Sequence, residues 1–122
     1  MMKRVHRDDF VIHYNNALAE LGTLADSLTP TNELDTQGVF YLGAGGTMGF
    51  AIVGGDIRYL FSTYKGKGNH LVKQAKLKGG YKLDCFDGYL VSLYSKHGFT
   101  EYKRDPNWTA GEPDLVYLSL RV

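Results

Sequence analysis

The run Thr63-Tyr64-Lys65-Gly66-Lys67-Gly68-Asn69-His70-Leu71-Val72 joins an apolar stretch to a segment of helical periodicity through two glycines and two lysines. Glycines leave backbone amides uncovered. A helix starting at Gly68 or Asn69 adds unpaired N–H groups and the positive end of its dipole. Such a turn suits a pyrophosphate, with Lys65 and Lys67 adding charge at its rim. It also serves as a plain strand-to-helix connection, and the glycines alone do not choose between the two.

Other chemistries lack their residues. No G-x-x-x-x-G-K-[ST] occurs, nor H-E-x-x-H, nor carboxylates at metal-ligand spacing, and His6, His13, His70 and His97 are scattered. His97, just before Gly98 at a helix end, reads as a surface group favouring the dipole. No G-x-S-x-G is present, and Cys85 alternates with apolar residues as a core side chain does. Gly43, Gly45 and Gly49 have a dinucleotide-loop spacing, but they open an apolar strand where that loop opens a helix. They read as a bulged hairpin.

The elements that position the glycine turn are legible from pattern. Apolar spacing from Phe10 through Ile12, Ala17, Leu18, Leu21, Leu24 and Leu28 predicts one or two helices over about 9–28, capped by Asp8 or Asp9. Val39–Leu42, Met48–Val53 and Ile57–Phe61 read as an antiparallel meander, with Gly54-Gly55-Asp56 as a hairpin turn. Leu71, Val72, Ala75 and Leu77 give the next helix its apolar stripe, stopped by Gly79-Gly80. "YKLDCF" is a strand with Tyr81, Leu83 and Cys85 on one face. "GYLVSLYSKHGF" is a helix burying Leu90, Val91 and Tyr94, and "TEYKRD" and "DLVYLSLRV" are the closing strands. The order is helix, three strands, helix, strand, helix, two strands: an α+β chain with a mixed, mostly antiparallel sheet of about six strands.

With 122 residues, 43% of them hydrophobic and 22% charged, the chain reads as one ordinary globular domain over residues 1–122. Nine tyrosines and 15 glycines favour strands and tight turns. A single cysteine excludes an internal disulfide and fits a reducing compartment. No leader or spanning segment is read in it, which points to the cytoplasm and away from a membrane. Net charge is +1, yet Lys65, Lys67, Lys73, Lys76, Lys78 and Lys82 share one acid-free segment. That stripe suits a small anionic ligand or a solvated helix face. The neutral total and missing binding motifs argue against nucleic acid.

The element order and two motifs resemble the GCN5-related N-acetyltransferase (GNAT) superfamily over about residues 38–122. Its acyl-CoA loop, Arg/Gln-x-x-Gly-x-Gly/Ala before an apolar helix, is matched from Thr63 to Val72, with Thr63 in place of Arg or Gln. Its Asn-x-x-Ala-Ile-x-Leu-Tyr-x-x-x-Gly-Phe motif is matched by Asp87 through Phe99 at the Leu93-Tyr94 and Gly98-Phe99 pairs. "GGYKLDCFDGYLVSLYSKHGFTEYKRDPNW" is similar to GNAT-like proteins of bacteriophages and prophages.

The resemblance implies acyl transfer from acetyl-CoA to an amine of a small molecule or protein, without a metal. It implies that Leu60, Ser62, Thr63, Lys65, Gly66, Lys67, Gly68, Asn69 and Asp87 hold the CoA. Tyr94 would protonate the departing thiolate, a role matched by a phenol pKa near that of a thiol. No acid lies in "IRYLFST", where the family often keeps a base, so Asp84 is either the base or a solvated strand residue. The second reading is a GNAT-like phage accessory or virion protein that binds a partner without catalysis. Trp108 is an acceptor-side contact or the anchor of a homodimer.

Overall fold

The computed structural model describes residues 2–21, 34, 37–64 and 66–121. Strands β1 (Lys3–Val5), β2 (Val39–Gly43), β3 (Met48–Val53), β4 (Asp56–Ser62), β5 (Lys82–Phe86), β6 (Thr100–Asp105) and β7 (Leu115–Ser119) form one seven-stranded sheet in the order β1-β2-β3-β4-β5-β7-β6. Helices α1 (Arg7–Leu21), α2 (Gly68–Leu77) and α3 (Tyr89–Ser95) cover it.

The first strand was not expected: Lys3-Arg4-Val5 has no strand signature and forms because it pairs antiparallel with β2. The glycines at 43–46 make a 3₁₀ turn between β2 and β3, and Gly54-Gly55 turns β3 into β4, so the expected meander is there.

Two apolar cores lie on opposite faces. Phe10, Tyr14 and Ala17 of α1, spaced one helical turn apart, pack on Phe40, Ala51, Tyr59 and Phe61. Helices α2 and α3 bury Leu71, Val72, Ala75, Leu93 and Tyr94 on Met48, Phe50, Ile57, Leu83, Cys85, Val116 and Leu118. Strand β4 serves both cores because it carries a bulge. Gly49 pairs with Phe61 but Ala51 pairs with Arg58, so β4 holds one extra residue there, and Tyr59 takes a φ of 56°. The bulge turns Ile57 toward α2 and α3 while Tyr59 and Phe61 face α1.

Several expectations need correcting. Helix α1 starts at Arg7, its Phe10 amide bonding back to the His6 carbonyl at 3.1 Å. Asp8 and Asp9 therefore sit in its first turn and cap nothing. Its buried stripe uses Tyr14, whereas Ile12 is 58% exposed; Leu24 and Leu28 lie outside the described residues. Leu77, at the last residue of α2, is 76% exposed. In α3 Leu93, not Leu90, joins Tyr94 in the core. In each case the apolar residue lies off the face its helix turns to the sheet.

Candidate functional site

Helix α2 leaves the end of β4 through the glycine turn. Gly66 takes a φ of +76°, where a side chain would be strained, and nothing crowds it. Lys67 is the N-cap and no side chain caps the helix; its first turn contains no acid. The first amide to bond back is Leu71, to the Lys67 carbonyl at 3.0 Å, so the N–H groups of Gly68, Asn69 and His70 lie ahead of the ladder. This end can take an anion. Lys65 lies outside the described residues.

Gly68 has a second reason to be glycine. A Cβ there would come within 2.9 Å of Leu93 Cδ2 and 3.6 Å of the Tyr89 hydroxyl, so α3 packs against the α2 terminus.

Several side chains expected around a ligand are engaged within the protein. The Thr63 hydroxyl donates to the Thr47 carbonyl at 3.2 Å, beside the Thr63 N–H bond to the same oxygen at 2.9 Å. Ser62 Oγ donates to the Tyr64 carbonyl (2.8 Å) and accepts from its N–H (3.0 Å), fixing the Tyr64 backbone. Asn69 Oδ1 meets His97 Nε2 at 2.9 Å. Asp87 receives Arg104 at 2.7 Å, and the same guanidinium holds Glu101 at 2.7 Å and Asp114 at 3.4 Å.

Strands β4 and β5 are parallel and pair at Asp56–Lys82 alone among the described residues, so the sheet opens between them. The edge of β4 toward β5, from Ile57 to Ser62, has no strand partner there. Leu60 is half-buried against the α2/α3 core that also contains Cys85 and Tyr94. The Tyr94 ring is 4% exposed and stands edge-on to Phe99 at 5.4 Å. Among the described residues no enclosed side-chain oxygen or nitrogen lacks a hydrogen bond. Burial, and then the nearby Cys85, hold the Tyr94 pKa well above the usual phenol range. Burial chiefly, with Asp84 and Asp87 adding, pushes the Cys85 thiol up to about 11, as expected of a core cysteine.

Asp84 alternates with Leu83 and Cys85, so it faces the other side of the sheet, opposite Tyr117 of β7. Asp84 is exposed, as a solvated strand residue would be; partial desolvation first, then Asp56, raises its pKa, against the lowering effect of Arg58, which pairs with Asp56 at 3.1 Å. Tyr94 and Asp84 thus lie on opposite faces, and the opening between β4 and β5 is where the faces communicate.

The lysine stripe is divided. Lys76 Nζ donates to the His97 carbonyl at 2.7 Å, while Lys78 lies over Tyr41 and Lys82 over Tyr81. Burial and then Lys76, Lys73 and Lys96 lower the His97 pKa, which favours a neutral ring and removes its expected help to the helix dipole. Trp108 is 81% exposed, edge-on to Phe86 at 6.0 Å. No grouping of three or more His, Cys, Asp or Glu able to hold a metal occurs among the described residues, and no helix among them is long and apolar enough to cross a membrane.

Sequence reasoning missed a pocket of about 550 Å³ beside the glycine turn. Buried Met2, Gly43 and Met48 line it with Ala44, and exposed Tyr64, Lys67 and His70 border it. The closeness of Met2 to Met48 depends on β1, which the sequence did not signal.

The whole chain superimposes on YncA, a proposed acetyltransferase from Salmonella typhimurium solved with its cofactor acetyl-CoA. The match covers 100% of this chain and 94% of that one, with a TM-score of 0.59 and 14% identity. The chain has a GNAT-like fold. Its expected class, a mixed and mostly antiparallel sheet flanked by helices, holds, with seven strands instead of about six. No protein-family model matches the sequence, and no curated protein matches it.

Proposed function

We propose that the chain is an acyl-CoA-dependent N-acyltransferase that moves an acetyl group from acetyl-CoA to an amine. The observation that carries this reading is the uncapped, acid-free start of α2 at the end of β4, within a GNAT-like fold. That terminus fits a pyrophosphate: the amides of Gly68, Asn69 and His70 lead the helix, and Lys67 sits exposed at its cap. Lys65 and Gly66 complete the loop.

Acetyl-CoA supplies the activated thioester. The chain's own contributions are positional and electrostatic. N–H groups of β4 between Leu60 and Ser62, on the edge left free by β5, stabilise negative charge on the thioester carbonyl oxygen. The amine nitrogen bonds to that carbonyl carbon as the carbon–sulfur bond breaks. The electron pair leaves on sulfur, and the Tyr94 hydroxyl, kept protonated by burial, donates a hydrogen bond to the thiolate; its raised pKa makes it a weaker acid than the thiol-matched phenol expected from the sequence. The proton lost by the amine goes to Asp84, directly or through water; its raised pKa makes it a better base than an ordinary carboxylate. As a phage- or prophage-encoded protein it would work in the host cytoplasm.

A second reading, a GNAT-like protein that binds a partner without catalysis, is favoured by the side chains of Thr63, Asn69 and Asp87 being engaged internally. Thiol release from acetyl-CoA across a panel of primary amines separates the two. Amine-dependent release is expected; acetyl-CoA binding with no release for any amine would favour the second reading.

A further inference from the structure

Strand β6 closes one end of the sheet. One of its edges pairs with β7, and the other has no strand beside it among the described residues. Thr100 to Arg104 are exposed and Asp105 is half-buried, so neither face of β6 is covered. Charged residues and a bulge are the usual means of keeping such an edge unpaired. In β6 both are present, and both are arranged symmetrically.

Glu101 lies opposite Leu118 and Lys103 opposite Tyr117, so Tyr102 is an extra residue in β6. Residues directly opposite each other share a face. Leu118 and Val116 belong to the core under α2 and α3, so Glu101 and Arg104, opposite them, project toward those helices and pair there at 2.7 Å. Thr100, Lys103 and Asp105 lie opposite Ser119, Tyr117 and Leu115 and project away from the helices. Tyr102 joins them, its ring tilted on Tyr117 at 6.3 Å. From Thr100 to Asp105 the side chains therefore run away, toward, away, away, toward, away. That order reads the same in both directions.

Two copies of a strand paired antiparallel about a two-fold axis must set residues of the same face against each other. In a strictly alternating strand the axis falls at a residue. The extra residue moves it between Tyr102 and Lys103. Glu101 then meets Arg104 of the second copy, Tyr102 meets its Lys103, and Thr100 meets its Asp105. A slip of one residue would oppose Glu101 to Lys103 or to Asp105, on the wrong face.

We propose that β6 pairs in this register with β6 of a second copy of the chain, joining two seven-stranded sheets into one. The Glu101–Arg104 pair exchanges partners across the axis, while Arg104 keeps Asp87 and Asp114. Lys103 already lies over its own Tyr117 at 4.7 Å, and Tyr102 of the second copy offers it another ring. The charges that repel a foreign strand are complementary to this one. A contact of this length is smaller than a standard interface, so the dimer forms with rising concentration. The inference is independent of the acyltransferase reading.

Sedimentation equilibrium of the full chain from about 10 µM to about 1 mM, with amide hydrogen exchange over the same range, tests the pairing. The mass should rise from one chain toward two. Exchange in β6 should slow by roughly tenfold once about nine-tenths of the chains are paired, while exchange in β1, at the opposite edge, stays unchanged. Glu101→Arg sets arginine against arginine at both ends of the contact and should weaken pairing by at least about tenfold, as should Arg104→Glu with its facing glutamates. Mixed in equal amounts, the two variants again oppose arginine to glutamate, and pairing should return. Arg104→Glu also loses the Asp87 and Asp114 contacts; if it does not fold, Glu101→Arg and the wild-type exchange data decide alone. A chain still monomeric at about 1 mM overturns the proposal. So does a dimer whose β6 amides exchange as fast as in dilute protein, a Glu101→Arg variant that pairs as tightly as wild type, or a mixture of folded variants that stays monomeric.

Discussion

Gly68→Ala separates two reasons for a glycine at the start of α2. If the glycine lets a phosphate approach, alanine costs ligand affinity and leaves stability alone. The geometry points to packing instead: the new methyl would sit 2.9 Å from Leu93 Cδ2, and Leu93 is 3% exposed with little room to yield. Alanine gains at most about 1 kcal/mol of helix propensity. Forcing a methyl into a filled interface costs about 1–3 kcal/mol. The net expectation is a loss of roughly 1 kcal/mol, or about 3–5 °C in Tm for a chain of this size. The backbone N–H is unchanged, so the folded variant should still bind acetyl-CoA. Leu93→Ala alone should cost about 2–5 kcal/mol by leaving a cavity. In that background Gly68→Ala should turn neutral or stabilising, a coupling on the order of 1–2 kcal/mol in a double-mutant cycle. Denaturant melts of the four proteins measure this. A wild-type-background Gly68→Ala that is as stable as its parent, with additive effects, would refute the packing argument.

Tyr94→Phe keeps the buried ring and its contact with Phe99, so Tm should stay close to wild type while acetyl transfer falls roughly 10²-fold. Equal turnover in the two proteins would leave Tyr94 as core alone. Asp84→Asn should raise stability at neutral pH. A carboxyl whose pKa is raised on folding costs stability when ionised, and that cost fades as pH falls through its folded pKa. The variant's Tm advantage should therefore shrink as pH falls toward the ordinary carboxylate range and be gone below about pH 4. Arg104→Met should flatten the acid limb of the stability profile. Arg104 lowers the Glu101 pKa, so that contribution is present above the unfolded carboxylate pKa and lost as pH falls through the folded one. Melts of both proteins from pH 7 to pH 2 that ran parallel would count against it.

Elements with a clean period were legible from sequence. The meander, α2, β5 and the last strand, β7, appear where alternation or helical spacing put them, because their burial follows from local pattern. The glycine turn was legible as well, down to the start of α2 at Gly68. What failed depends on partners distant in sequence. Lys3-Arg4-Val5 is a strand only because β2 offers it an edge, and the pocket floor at Met2 follows from that. The β4 bulge had a trace in the consecutive apolar Tyr59-Leu60-Phe61, which breaks strict alternation, but its position is set by β3. The side-chain commitments of Thr63, Asn69 and Asp87 were invisible, since Thr47, His97 and Arg104 reach them only after folding. Tyr94 and Asp84 were singled out together. That they stand on opposite faces follows from Cys85 and Leu83 facing inward, which the alternation of β5 already contained.

Calorimetric titration of acetyl-CoA into the wild-type protein and into Lys67→Glu tests the acyl-CoA site most directly. Lys67 is exposed at the α2 cap, so reversing its charge leaves the core untouched while opposing an anion at the helix amides. Saturable binding by the wild type is expected, weakened by roughly tenfold, about 1.4 kcal/mol, in the variant. No heat of binding at about millimolar acetyl-CoA, a concentration that detects affinities as weak as about −4 kcal/mol, would contradict the site, as would equal affinity in Lys67→Glu.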